Sequence, residues 1–215
     1  MIDTKGYKIT KLGEYSYSLF SKGEYKKQIY SSLLKTNILT SAFFDPHSNS
    51  IFFTAESVQL LSEYLNTKSY NKMSEPECAQ LITNITSQIK YLEEHKYVLY
   101  GYDLNDILVI SDNIFIAANS NYILPLENNT FTFSNPNNRP YFSNPELLEL
   151  TKLPSIIHYK SSYYSLGVLI TFCLLNTYYT SELEVILKPI FYTKIYWFIK
   201  RCLNKKYEQR VLLYI

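Results

Sequence analysis

The ten residues LGVLITFCLL, at 166–175, are apolar on every side and limit the choice of fold more than any other stretch. A helix with no polar face has to be covered all round, so it belongs in the middle of a domain. A membrane span is the alternative, but the run falls short of the ~18–20 residues a crossing needs. Ser161 or Ser162, in KSSYYS just upstream, is expected to cap this helix, its hydroxyl taking an orphan amide of the first turn. Further upstream stands a Pro-Glu step, Pro145-Glu146, within YFSNPELLEL.

With 215 residues the chain has length for one sizeable domain or two small ones, and for a substantial core. A net charge of +2 gives no case for a nucleic-acid-binding surface or an acidic tail. Tyrosine is the oddity: 22 Tyr against one Trp and five Gly. Alongside frequent Asn, Ile and Lys, this reads as AT-biased codon usage rather than a base-stacking platform. Cys78, Cys173 and Cys202 stand singly, as do His47, His95 and His158, so neither a disulfide frame nor a zinc site is expected. The opening MIDTKGYKIT lacks the basic-then-apolar pattern of a signal peptide. The expected setting is therefore intracellular and cytoplasmic, with no membrane partner and with the cysteines as small buried hydrophobes.

NPE followed by SYYSLGVLITFCLL resembles the second half of a protein-kinase C-terminal lobe. In that family an Ala-Pro-Glu step ends the activation segment and an Asp-x-Trp-Ser-x-Gly sequence opens the buried central helix. Gly167 and Ser165 match, Tyr164 stands where Trp is usual, and Ser162 stands where the structural Asp is usual. The ending CLNKKYEQR is similar to the family's Cys-Leu-x-x-x-Pro-x-x-Arg, with Tyr207 in the proline's place. The resemblance implies that Arg210 pairs with Glu146, a buried bidentate contact that fixes the activation segment.

Earlier segments fall in the same order. In ITKLGEYSYSLFSK, at 9–22, alternation around a Gly-Glu step suggests a hairpin. It is similar to the kinase glycine-rich loop, with Gly13 kept and Tyr15 and Ser18 replacing the second and third glycines. Those glycines let bare backbone lie against ATP phosphates. Residues 23–39 offer no Val-Ala-x-Lys strand; Lys26, Lys27 and Lys35 are the lysine candidates, none in the right context. LTSAFFD and SIFFTAE read as two strands joined by a PHSNS turn, leaving no room for a full regulatory helix. Residues 55–65 resemble the hinge and the short helix after it. Residues 74–94 read as a long helix, with a Ser74/Glu77 capping box, Pro76 in the first turn, and a stripe of Cys78, Leu81, Ile82, Ile85, Ile89 and Leu92.

The kinase catalytic loop, His-Arg-Asp-Leu-x-x-x-Asn, would be YGYDLNDIL. Asp103 and Leu104 match, Gly101 and Tyr102 replace His and Arg, and Asp106 comes two residues early for the metal-binding Asn. A spacing of three does not place a base and a metal ligand as phosphoryl transfer requires. Asp103 is thus expected to be a turn residue bonding nearby amides. At the Asp-Phe-Gly position the best register sets Ala118 at the magnesium Asp, with Asn119 one residue away; neither brings a carboxylate. The Asn-rich segment 127–139 fits a shortened activation segment.

The resemblance implies an α+β, two-lobed kinase-like fold: an abbreviated β-rich N-lobe over 1–56 and a mainly helical C-lobe over 57–215. The groups kept are structural, and the groups lost are catalytic. A pseudokinase acting as a protein-interaction or scaffold module is expected, with protein partners and no cofactor. The alternatives are a divergent active Ser/Thr kinase, using Asp103 as base and Asn119 or Asp106 for metal, and a sensor binding ATP without magnesium. The short N-terminal part, the composition and the ending LLYI are also similar to kinase-like proteins of large DNA viruses, which would place it in host cytoplasm or virion.

Overall fold

The computed structural model describes residues 1–177 and 183–214; Ile215, the last residue of the LLYI ending, lies outside them. The chain is α+β, with a β-rich N-terminal part and a helical C-terminal part. Strands β1 (Ile2–Asp3), β2 (Tyr7–Lys11) and β3 (Ser16–Ser21) form an antiparallel meander. Alternation drives it: Tyr7, Ile9, Tyr17 and Leu19 face inward, all under 10 % exposed. Helix α1 (Lys26–Lys35) follows, then β4 (Phe43–Asp45) and β5 (Ser50–Thr54), completing a sheet of order β1-β2-β3-β5-β4. Asp45 holds the β4–β5 turn by accepting from the Ser48 hydroxyl and from the His47 and Ser48 amides. Residues 23–39, which the sequence left without a regular element, are the source of α1; Ile29, Tyr30 and Leu33 bury its inner face.

After Thr54 the chain leaves this sheet. Strand β6 (Val58–Leu60) pairs with β8 (Ile107–Ile110), and β8 pairs with β9 (Ile114–Ala117). Helix α2 (Leu61–Asn66) and the long helix α3 (Glu75–Glu94) lie between β6 and β7 (Tyr97–Leu99). The α3 capping box forms, with Ser74 accepting from the Glu77 amide and the Glu77 carboxylate accepting from the Ser74 amide. Burial works against ionisation of Glu77. Hydrogen bonds from Lys68, Tyr64 and Ser74 overcome it and hold the carboxyl down at about 2.

Strand β10 (Ile123–Pro125) pairs with β7, and β11 (Thr130–Phe133) pairs with β12 (Ser155–His158), with the short α4 (Pro145–Leu148) between β11 and β12. Helix α5 (Ser161–Leu175) is buried on nearly every side, as its apolar run requires. Its start differs from expectation. Lys160 occupies the cap position without a side-chain bond to the first-turn amides, while Ser161 and Ser162 lie inside the first turn as small buried residues. Helix α6 (Leu183–Ile186) and helix α7 (Lys194–Cys202) follow, and α7 packs across α5. A Cβ at Gly167 would come within 2.8 Å of the Cys202 Cβ, so the absent side chain sets this approach. Among the described residues, no helix is long and apolar enough to cross a membrane.

Candidate functional site

A cavity of about 1170 Å³ opens between the β1–β2 turn and the segments around residues 103–106 and 119–122. Its walls carry Asp3, Lys5 and Lys22 on one side and Asp103, Asp106 and Asn119 on the other, with Arg139 and Tyr141 also lining it.

Asp103 sits just ahead of a 3₁₀ turn, Leu104–Asp106. Its Oδ1 accepts the Tyr141 amide at 2.5 Å and its Oδ2 accepts the Tyr122 hydroxyl at 2.5 Å. These donors are 38 and 19 residues away, so the expectation of a local turn cap is corrected. The side chain is a long-range tie that closes the base of the 123–140 segment. Gly101 serves the same closure, since a Cβ there would meet the Pro140 ring at 2.0 Å.

Asp106 accepts the Asn119 side-chain amide at 2.9 Å, and its carbonyl accepts the Ala118 amide. Burial first, and the neighbouring Asp103 charge second, push its carboxyl up to about 7, against the opposing donation from Asn119. Near neutral pH it can therefore hold or release a proton. Ala118 is fully buried and does not line the cavity, whereas Asn119 does. Asn119 is also pressed by the N-terminal sheet: a Cβ on Gly6 would fall 2.1 Å from its Oδ1. Gly23 approaches Ser120 and Asn121 in the same way, and the Ser21 and Ser120 hydroxyls bond at 2.7 Å. Neither glycine has positive φ; both are required by contact, not by backbone conformation.

Gly13, Tyr15 and Ser18 are elsewhere, which corrects their assignment to the ligand loop. Gly13 and Tyr15 are exposed at the β2–β3 turn, where the Tyr15 carbonyl accepts the Ala55 amide, and Ser18 is mid-strand, paired with Thr10 and Phe52. The turn that faces the cavity is the preceding one, residues 3–6. Lys26, Lys27 and Lys35 belong to α1 and do not line the cavity. Two lysines do, Lys5 and Lys22, and both went unrecognised; for Lys22 the available signal was its place directly after an alternating strand. Its Nζ donates to the Thr4 carbonyl at 2.5 Å and pairs with the Asp3 carboxylate.

Away from the cavity, Arg210 is fully buried and meets the Glu146 carboxylate at 2.7 Å. Its guanidinium also donates to the Asn204, Lys205 and Lys160 carbonyls and lies 4.9 Å from the Tyr164 ring centre. The contact joins α4 to the C-terminal segment beside α5. No protein-family model and no curated protein matches this chain.

Proposed function

We propose that this chain is a kinase-like protein, with the sheet part as N-lobe and the helical part as C-lobe, that has lost phosphoryl transfer and works by binding other proteins. The observation that carries the reading is the state of Asp103. In the kinase comparison it stands at the base position, and a general base must be oriented toward the substrate proton rather than toward the protein's own donors. Here each oxygen already accepts a short bond, one from a backbone amide and one from Tyr122. Lys22, which follows β3 and lines the cavity opposite Asp103, is likewise held by Asp3 and Thr4. The Glu146–Arg210 contact supports a retained lobe architecture.

One feature favours a second reading, a sensor that takes a nucleotide without magnesium. The cavity is open, and Lys5 and Arg139 line it with no ion pair among the described residues. Thermal unfolding with ATP, with and without magnesium, separates the readings, because a ligand that binds the native state raises the melting temperature. The binding-protein reading expects no magnesium-dependent rise and no phosphate transfer to a generic protein substrate. A rise without magnesium establishes the sensor. Phosphate transfer that Asp103→Asn abolishes would establish an active kinase instead.

A further inference from the structure

Residues 188–206 hold six Lys and Arg and no Asp or Glu, so with a net charge of only +2 the remainder of the chain is net acidic. The basic charge is concentrated where α7 reaches the surface. On α7, Lys194, Trp197 and Arg201 are three and four residues apart and share one face, with Lys200 beside them. Trp197 is 42 % exposed, while Ile195, Phe198, Ile199 and Cys202 fill the core on the opposite face. Lys200 reaches 5.9 Å from the Trp197 ring centre, although its charge is shared with Glu184 at 2.9 Å.

The turn before the helix adds a second observation. Tyr192 is 81 % exposed and adopts φ of 66°, the left-handed region, which a bulky side chain enters only against steric strain. Its ring lies 5.9 Å from Phe191 and 6.4 Å from Tyr196, centre to centre, and so continues the aromatic surface of α7 outward.

We propose that this face, Tyr192, Lys194, Trp197 and Arg201, docks an acidic segment of a partner protein, one whose carboxylates flank an apolar residue. Charge complementarity selects the occupant: three cations, Lys194, Lys200 and Arg201, surround an exposed indole, with Glu184 as the acid paired to Lys200 among the described residues. Tyr, Trp and Arg are also the side chains that dominate protein–protein binding energy. The face is a convex helix surface rather than a groove, which suits a protein better than single-stranded nucleic acid. The proposal rests on the binding-protein reading above and names its surface.

Trp197 is the only tryptophan, so its emission reports on this face alone. The full chain is titrated with a glutamate–tyrosine copolymer, with polylysine and with oligouridylate, under selective tryptophan excitation. The copolymer is expected to shift Trp197 emission, more weakly as salt rises. Lys194→Glu should weaken this about tenfold or more, and Arg201→Glu likewise, whereas Lys35→Glu on remote α1 should not. Among the described residues Lys194 makes no hydrogen bond or ion pair through its side chain, so its variant tests the face without touching the fold, as an unchanged melting temperature would verify. Emission that ignores the copolymer, or responds equally in Lys194→Glu, overturns the proposal. Tighter binding of oligouridylate overturns it in favour of nucleic acid. Neither result bears on phosphate transfer from ATP, which is read separately.

Discussion

Arg210 shows what a single residue can carry here. It is fully buried, and a buried guanidinium is tolerated only when its donors are met. Three backbone carbonyls and Glu146 meet them. The two ends of the ion pair are not equivalent, since the Glu146 side chain is 26 % exposed and the Arg210 side chain not at all. Removing the acid strands a charge that cannot reach water. Glu146→Ala is therefore expected to destabilise by about 3–5 kcal/mol in denaturant unfolding. The double variant Glu146→Leu/Arg210→Met should cost less than the two single changes added together, because it leaves no buried charge unpaired. A loss under about 1 kcal/mol for Glu146→Ala would mean that the carbonyls alone hold the guanidinium.

At the scale of elements, the strand β9 lies at the edge of its sheet, and such an edge leaves backbone groups open. Helix α3 closes it with side chains. Asn84 Oδ1 accepts the Phe115 amide at 3.0 Å, and Gln88 Oε1 accepts the Ala117 amide at 2.8 Å. The geometry follows from two periods: residues four apart on a helix face match residues two apart on a strand. Gln88 also donates to the Ala117 carbonyl and to Ser32 on α1, so one amide joins three elements. Gln88→Leu keeps the volume but orphans the Ala117 amide and carbonyl; it is expected to cost about 1–3 kcal/mol and to speed hydrogen exchange at Ala117. Unchanged exchange there would mean that the edge is held by packing alone. This closure also marks the limit of what sequence discloses. The α3 cap, the apolar α5 and the buried face of α7 are local patterns, readable because a helix announces its own period and ends. Asn84 and Gln88 look like polar residues out of place on α3 until β9 is set beside them. The same holds at the cavity. Asp103 and Asp106 were visible as paired acids, but the bond from Tyr141 to Asp103 depends on a pairing across the fold. Lys22 was hidden because the strand that positions its partner, β1, is two residues long and carries no pattern of its own.

For the whole molecule, the acids decide how stability responds to pH. Burial raises the Asp106 carboxyl to about 7, and burial likewise raises Glu93 to about 7, against the donated Tyr163 hydroxyl. In the unfolded chain both ionise near their ordinary values of 3.8 and 4.5. Between those limits the folded chain keeps two protons that the unfolded chain has released. Stability must then fall as pH rises, by about 1.4 kcal/mol per pH unit for each proton, until both groups ionise above about 7. His158 opposes this on the acid side: burial lowers its pKa, so folding is disfavoured as pH falls below the unfolded value of 6.5. The carboxyl slope is therefore fullest from about 5 to about 6.5, partly offset there by His158, and fades as pH passes about 7. Asp106→Asn retains an acceptor for the Asn119 amide while removing the proton. It should match the parent protein in melting temperature near pH 3.8, exceed it increasingly up to about pH 7 and still at pH 8, and take away one proton from the measured slope. Glu93→Gln should remove the other, independently, because the two lie in separate cavities, one facing Asp103 and Lys22 and the other facing Lys96 and Tyr159. Should Asp106→Asn lose stability equally at both ends of that range, the parent carboxylate must be ionised and paired in the folded state. The cavity floor would then be an anionic site at neutral pH, better suited to a cation than to the uncharged carboxyl described here.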